Sequence, residues 1–178
     1  MTYMVEIEKL THKYNGHTAV DDISLNIAKG ELFGLLGPNG AGKSTTISVI
    51  STLLKPAAGR VFVGGYHIGG QSGRVKKLIG LVPQDIALYP MLTARENLLF
   101  FGRMYGLHGG ELRRRVGDVL ETAGLTDRAG EKVATFSGGM KRRINIGVGL
   151  MNMPELLILD EPTVGIDPQS RRHILDTV

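Results

Sequence analysis

The sequence has no cysteine. Disulfides, thiolate metal sites and cysteine nucleophiles are therefore excluded. It also has no apolar run near the roughly 18 residues a membrane-spanning helix needs. The first residues, Met1-Thr-Tyr-Met-Val-Glu-Ile-Glu8, alternate and carry acids, so they do not read as a secretory leader. There is no internal repeat and no low-complexity linker. Charge of one sign is only slightly in excess, with 21 Lys+Arg against 17 Asp+Glu for a net +4. A surplus this small suits an anionic ligand, an acidic membrane surface or nucleic acid, but equally an ordinary solvated surface. What is present is ordinary for a folded chain: 178 residues, 42% hydrophobic and 21% charged, a length that suits one domain. Glycine is abundant, at 25 residues, without a collagen period.

Val5 and Ile7 alternate with polar neighbours, Asn15-Gly16 is a hairpin turn signal, and Ile23, Leu25 and Ile27 alternate again before Lys29-Gly30. Residues 4–30 therefore predict an antiparallel hairpin. Glu31 to Leu36 is a short, nearly continuous apolar run of the kind found in strands buried on both faces. A glycine-rich turn follows, then a helix with Ile47, Ile50 and Leu54 at helical spacing, stopped by Lys55-Pro56. Val61 to Val63 and Leu78 to Val82 read as strands, the second buried and ended by Pro83. From about 88 to 152 the pattern is helical. Thr93 and Glu96 form a capping box ahead of Leu98, Phe101 and Tyr105, and Gly106 ends that helix. Leu112, Val116, Val119, Leu120 and Ala123 keep the 3.6 period up to Gly124, a helix-ending glycine. Ser137 opens a third helix with Ile144, Val148 and Met151 on one stripe. Leu156 to Leu159 is a buried strand, and Asp167-Pro168 starts a last helix. Strands alternating with helices predict an α/β core with mostly parallel strands, preceded by the antiparallel hairpin and interrupted by a helical insert.

Gly37-Pro38-Asn39-Gly40-Ala41-Gly42-Lys43-Ser44 fits G-x-x-x-x-G-K-[ST] and sits between a predicted strand and a predicted helix. Glycines let successive N–H groups curl around a phosphate, and the helix N-terminus adds partial positive charge. Lys43 neutralises the β/γ end, Ser44 offers a hydroxyl to Mg2+, and Thr45 can bond an inner phosphate. A protein-kinase glycine loop lacks the GK[ST] ending. Asp160-Glu161 closes the strand that starts at Leu156. Neighbouring strand residues point to different sides, so Asp160 can face a metal while Glu161 faces attacking water as general base. A carboxylate directly after the metal aspartate narrows the class toward ATP hydrolysis. Ser137-Gly138-Gly139 exposes free N–H groups at a second helix start, an anion site that one nucleotide does not need or simply a helix cap.

Together these residues resemble the ATP-binding subunit of an ABC transporter, and the resemblance covers essentially the whole chain. Gly37 to Thr45 matches Walker A, Asp160 and Glu161 match Walker B and its catalytic glutamate, and Ser137-Gly138-Gly139 matches the signature motif, with Met140 where glutamine is commonest. Gln84 after Leu81-Val82-Pro83 matches the Q-loop and Val164 to Asp167 the D-loop. Tyr14 stands where the family stacks an aromatic on adenine, or else packs on its hairpin neighbours. The resemblance implies a P-loop NTPase fold: an antiparallel β part at 1–30, a core at 31–87 and 153–178, and a helical subdomain at 88–152. It implies Mg2+ and ATP as cofactors, with Gln84 joining Ser44 and Asp160 near the metal. It also implies a head-to-tail dimer with a second ATP-binding subunit, in which Ser137 of one chain faces the γ-phosphate held by Lys43 of the other. The partner would be an integral-membrane permease, which would hold the chain on the cytoplasmic face of the membrane; no nucleic acid is expected. Leu88 to Leu98, Phe101 to Gly106 and Met140 are similar to the drug-resistance exporter subclass, in which the cargo is read by the membrane subunit.

Two features of the family are missing. Its switch histidine lies at the end of a further core strand downstream of Walker B, past Val178, and His173 is not that residue. The strand itself would stand in the centre of the sheet. We therefore expect a partial sequence of a longer protein, with the C-terminal core strand missing. The alternatives are a nucleotide-binding fragment without turnover and a soluble ABC protein not linked to transport.

Overall fold

The alternation at the start of the chain becomes a long hairpin in the computed structural model, which describes residues 3–161. Strand β1 (Tyr3–Tyr14) pairs antiparallel with β2 (His17–Ala28). Asn15 and Gly16 turn the chain with φ of 46° and 86°, the left-handed pair whose twist matches that of the flanking strands. On its other edge β1 pairs antiparallel with β3 (Ala58–Val63), which turns back into the short β4 (Tyr66–His67). The sheet order is β2-β1-β3-β4. Val5, Ile7, Leu10, Val61 and Val63 are buried, as are Val49 of α1 (Lys43–Ile50) and Val75 of α2 (Ile68–Leu78). Both helices contact β3. These elements form the first of two compact units, Met1–Ile79 and Gly80–Val178.

In the second unit, β5 (Ile79–Val82) pairs with β6 (Leu156–Leu159). Three helices accompany them: α3 (Ala94–Met104), α4 (Gly109–Thr122) and α5 (Gly138–Leu150). The capping box forms in full. Thr93 Oγ1 accepts from the Glu96 N–H at 3.1 Å, and the Glu96 carboxylate accepts from the Thr93 N–H at 2.8 Å. The predicted stripe Leu112, Val116, Val119, Leu120 and Ala123 is buried, and Gly124 follows with φ 61°. It packs with Leu98, Phe136, Ile144 and Met151 in one apolar cluster.

A buried amide braces this cluster. Asn97, fully buried, accepts from the Tyr89 N–H at 2.8 Å and donates to the carbonyls of Tyr89 and Thr93, both at 3.0 Å. Asn97→Leu fills similar space but leaves the Tyr89 N–H without its acceptor, while the Tyr89 and Thr93 carbonyls keep their backbone donors. It should lower unfolding free energy by about 1–3 kcal/mol, read as a shift in the urea midpoint.

Several expectations need correction. Residues 31–36 form no strand; Leu32 and Leu36 are 88% and 92% exposed. An apolar run becomes a strand only where a neighbour takes its N–H and C=O groups, and none of the described strands pairs with it. Helix α1 ends at Ile50, short of Leu54, because Thr52 turns left-handed at φ 64°. Helix α2 was not anticipated: Gly69, Gly70 and Gly73 argue against a helix, and it is kinked at Gln71. Strand β6 is half-buried rather than buried, having β5 as its one described partner. Helix α5 buries more than one stripe, because Ile144 and Val148 face the helical cluster while Ile146 packs on Val82, Leu157 and Leu159. The ladders β1–β2, β1–β3 and β3–β4 are antiparallel, so the expected antiparallel β part also takes in Val61 to Val63. Val164 to Asp167, Pro168 and His173 lie outside the described residues.

Candidate functional site

One group of candidate residues lies in the unit Met1–Ile79. Gly42 caps α1 with φ 80° and contributes no side-chain bond to it. A side chain there is impossible on two counts. The backbone conformation disfavours one, and a Cβ would meet the Ala19 carbonyl at 2.5 Å and Val20 Cγ2 at 3.0 Å. The first turn of α1 holds no acid. Its leading N–H groups therefore remain available to an external anion. Lys43 Nζ donates to the carbonyls of Gly37 and Pro38 at 2.7 and 2.9 Å, which curls its side chain over the loop. Ser44 is exposed and Thr45 half-buried, whereas Thr46 is buried and returns its hydroxyl to the Gly42 carbonyl at 2.9 Å. Pro38, Asn39, Gly40 and Ala41 form the exposed crest of the loop. Tyr14 is 45% exposed and meets His12 edge to face at 4.7 Å, so one side packs and the other stays open to a ring. His12 is itself fixed to the Lys55 carbonyl at 3.0 Å.

A separate group lies in the unit Gly80–Val178. The β5–β6 pairing extends to Asp160, whose N–H donates to the Val82 carbonyl at 3.0 Å. Beyond it Glu161 turns left-handed, at φ 46°. That conformation is uncommon for a residue with a side chain and often marks a functional site. Gln84 Nε2 donates to Glu161 Oε2 at 3.0 Å, joining residues 77 positions apart in sequence. The predicted Q-loop amide and the predicted base are thus brought together. Ser137 caps α5, its Oγ accepting from the Met140 N–H at 3.3 Å. Ser137 and Gly138 are exposed, Gly139 is buried, and the first turn of α5 carries no acid.

Two further polar residues of α5, Arg142 and Asn145, belong to no sequence motif. Both are buried on α5. Arg142 Nη1 donates to the carbonyls of Pro83 and Gln84 at 2.6 and 2.9 Å, and Nη2 to that of Asp160 at 2.9 Å. Burial lowers the Arg142 pKa, and the Asp160 carboxylate offsets part of that shift. The available signal was an arginine and an asparagine three residues apart in a helix otherwise rich in Ile, Val, Gly and Met, since buried polar groups must find partners.

The residues present fit a magnesium nucleotide. Among the described residues no group of three His, Asp or Glu could hold a metal ion. Mg2+ does not require one, because it takes few protein ligands and completes its shell with phosphate and water. Ser44 in the first unit is a hydroxyl and Asp160 in the second a carboxylate, both donor types that Mg2+ accepts.

The ABC transporter family matches residues 20–164. The chain belongs to this family. Among curated proteins, it is 62% identical to the linearmycin resistance ATP-binding protein LnrL of Bacillus subtilis, over 98% of this chain and 56% of LnrL. It is 40% identical to the doxorubicin resistance ATP-binding protein DrrA of Mycobacterium tuberculosis, over 100% of this chain and 54% of DrrA. The chain thus spans about half the length of these relatives. Among solved structures, CbiO1 of Clostridium perfringens, part of the ABC transporter complex CbiONQ, matches with a TM-score of 0.90 at 32% identity, covering 99% of this chain and 72% of CbiO1. The ATP-binding cassette MJ0796, a dimer in a post-hydrolysis state with ADP and Pi, matches with a TM-score of 0.84 at 31% identity, covering 98% of this chain and 81% of that one. The fold is that of an ABC nucleotide-binding domain.

Proposed function

We propose that the protein binds Mg-ATP and hydrolyses it as the energising subunit of an ABC exporter. The observation that carries this reading is the bond from Gln84 to Glu161 just past the paired ends of β5 and β6. It supports a paired carboxylate and amide acting in hydrolysis. The bound Mg2+ would neutralise phosphate charge. Lys43 and the N–H groups of Gly40 to Thr45 would bind phosphate, with Gly37 and Pro38 shaping the turn. Ser44, Asp160 and Gln84 would hold the metal's shell, and Tyr14 would stack on the base. Glu161 would take the proton from attacking water. The whole chain, 1–178, would be one ATP-binding domain, with residues 88–152 as its helical part.

A second ATP-binding subunit is supported by the exposed Ser137-Gly138 turn, an anion site beyond what one nucleotide needs, and by the dimeric relative. A permease partner is supported by exposed apolar residues that follow Gln84 in the chain. Ile86, Tyr89, Met91, Phe100 and Met104 are exposed there, and Tyr89 meets Phe100 edge to face at 4.8 Å. Among the described residues no helix is long and apolar enough to cross a membrane, so attachment to the inner face of the membrane would run through that partner. The cargo would be read by that partner, and an antibiotic would fit the relatives named for linearmycin and doxorubicin resistance.

The test is calorimetric titration of the intact gene product with ATP, with Mg2+ and with EDTA, followed by size exclusion of Glu161→Gln. ATP should bind, Mg2+ should tighten it, and the variant should elute as a dimer with ATP alone. An absence of ATP binding would overturn the reading.

A further inference from the structure

Helix α5 does more than present the Ser137 turn. Three residues apart on it, Arg142 and Asn145 both reach the segment 83–87 that carries Gln84. The Arg142 guanidinium donates to the carbonyls of Pro83 and Gln84 at its start. Asn145 Oδ1 accepts from the Ala87 N–H at 3.1 Å at its end. The same guanidinium also donates to the Asp160 carbonyl, one residue before Glu161. Between the two anchors, Gln84, Asp85 and Ile86 are exposed. Asn145 Nδ2 is buried without an acceptor among the described residues. Burying a charged guanidinium and an unspent amide donor is unfavourable, and an apolar side chain would serve packing better.

We infer that Arg142 and Asn145 are positioning residues that clamp both ends of the Gln84 loop to α5, with Arg142 extending the tie to the backbone beside Glu161. A guanidinium suits this role because its planar fork can serve several carbonyls from one place, which an ammonium cannot. The consequence is mechanical. A displacement of α5, whose first turn is the Ser137 site, carries Gln84 with it and alters the Gln84–Glu161 contact. This inference rests on the reading of Gln84 and Glu161 as parts of a hydrolytic site.

The test uses Arg142→Gln, Arg142→Lys and Asn145→Ala in the intact gene product, with two readouts. The first is hydrogen exchange of the Ala87 amide without nucleotide. Asn145→Ala removes its acceptor, and Ala87 is exposed enough for water to replace it, so exchange should quicken by roughly tenfold or more. Tm should change little, because the unspent Nδ2 donor is removed as well. The second readout is the split between kcat and ATP affinity. Arg142→Gln should lower kcat roughly 10- to 100-fold with ATP affinity nearly unchanged, because the phosphate loop is untouched. Arg142→Lys should restore part of it. In a Gln84→Ala background the Arg142→Gln penalty should largely disappear, which a merely structural loss would not do. Unchanged Ala87 exchange in Asn145→Ala, or equal penalties with and without Gln84, would overturn the inference. If Arg142→Gln does not fold, Arg142→Lys and Asn145→Ala carry the same test. If the wild-type protein fails to bind ATP, the functional reading falls, and exchange at Ala87 still decides whether the clamp exists.

Discussion

Glu161→Gln should reduce ATP turnover by roughly 10²- to 10⁴-fold while leaving ATP bound, the range expected when a positioned general base is removed. The amide is nearly isosteric and keeps an oxygen that can accept from Gln84 Nε2, so the 3.0 Å contact can persist. What is lost is the capacity to take a proton. The measurement is single-turnover phosphate release beside a nucleotide-binding titration. Comparable losses of binding and turnover would instead mean that Glu161 supports the structure around β6 rather than the chemistry.

Lys43→Ala should have the opposite signature, weakening ATP affinity itself. The ammonium now shares its protons between the Gly37 and Pro38 carbonyls, a contact a phosphate would replace or join. A charge-assisted hydrogen bond contributes about 1.5–3 kcal/mol, so affinity should fall roughly 10- to 150-fold. Fold stability should change little, because these bonds lie in an exposed loop that water can satisfy. The pair of variants thus separates binding from hydrolysis, residue by residue.

Local signals were the ones legible in the sequence. The Thr93–Glu96 capping box, the Asn15-Gly16 turn and the Leu112-to-Ala123 stripe each depend on neighbours a few residues away, and each forms as read. The run at 31–36 did not become a strand, because strand formation depends on a partner that the run itself cannot specify. Helix α2 was hidden by its glycines and is held by Ile68 and Val75 packing rather than by propensity. In the candidate site, the phosphate loop and the Asp160-Glu161 pair were legible because spacing within a few residues defines them. Family resemblance implied only that Gln84 lies near the metal, not that it meets Glu161, and the partners of Arg142 and Asn145 were hinted at only by two polar residues in a largely apolar helix. An arginine on a helix reads as surface until the carbonyls it serves, 18 to 59 residues away, are in place.

The most direct test of the whole account is steady-state phosphate release by the intact wild-type gene product in Mg-ATP, set beside Glu161→Gln under the same conditions. Sustained release is expected from the wild type, abolished in the variant although both bind ATP. Equal release by the two proteins would contradict it, as would wild-type protein that binds ATP and never releases phosphate.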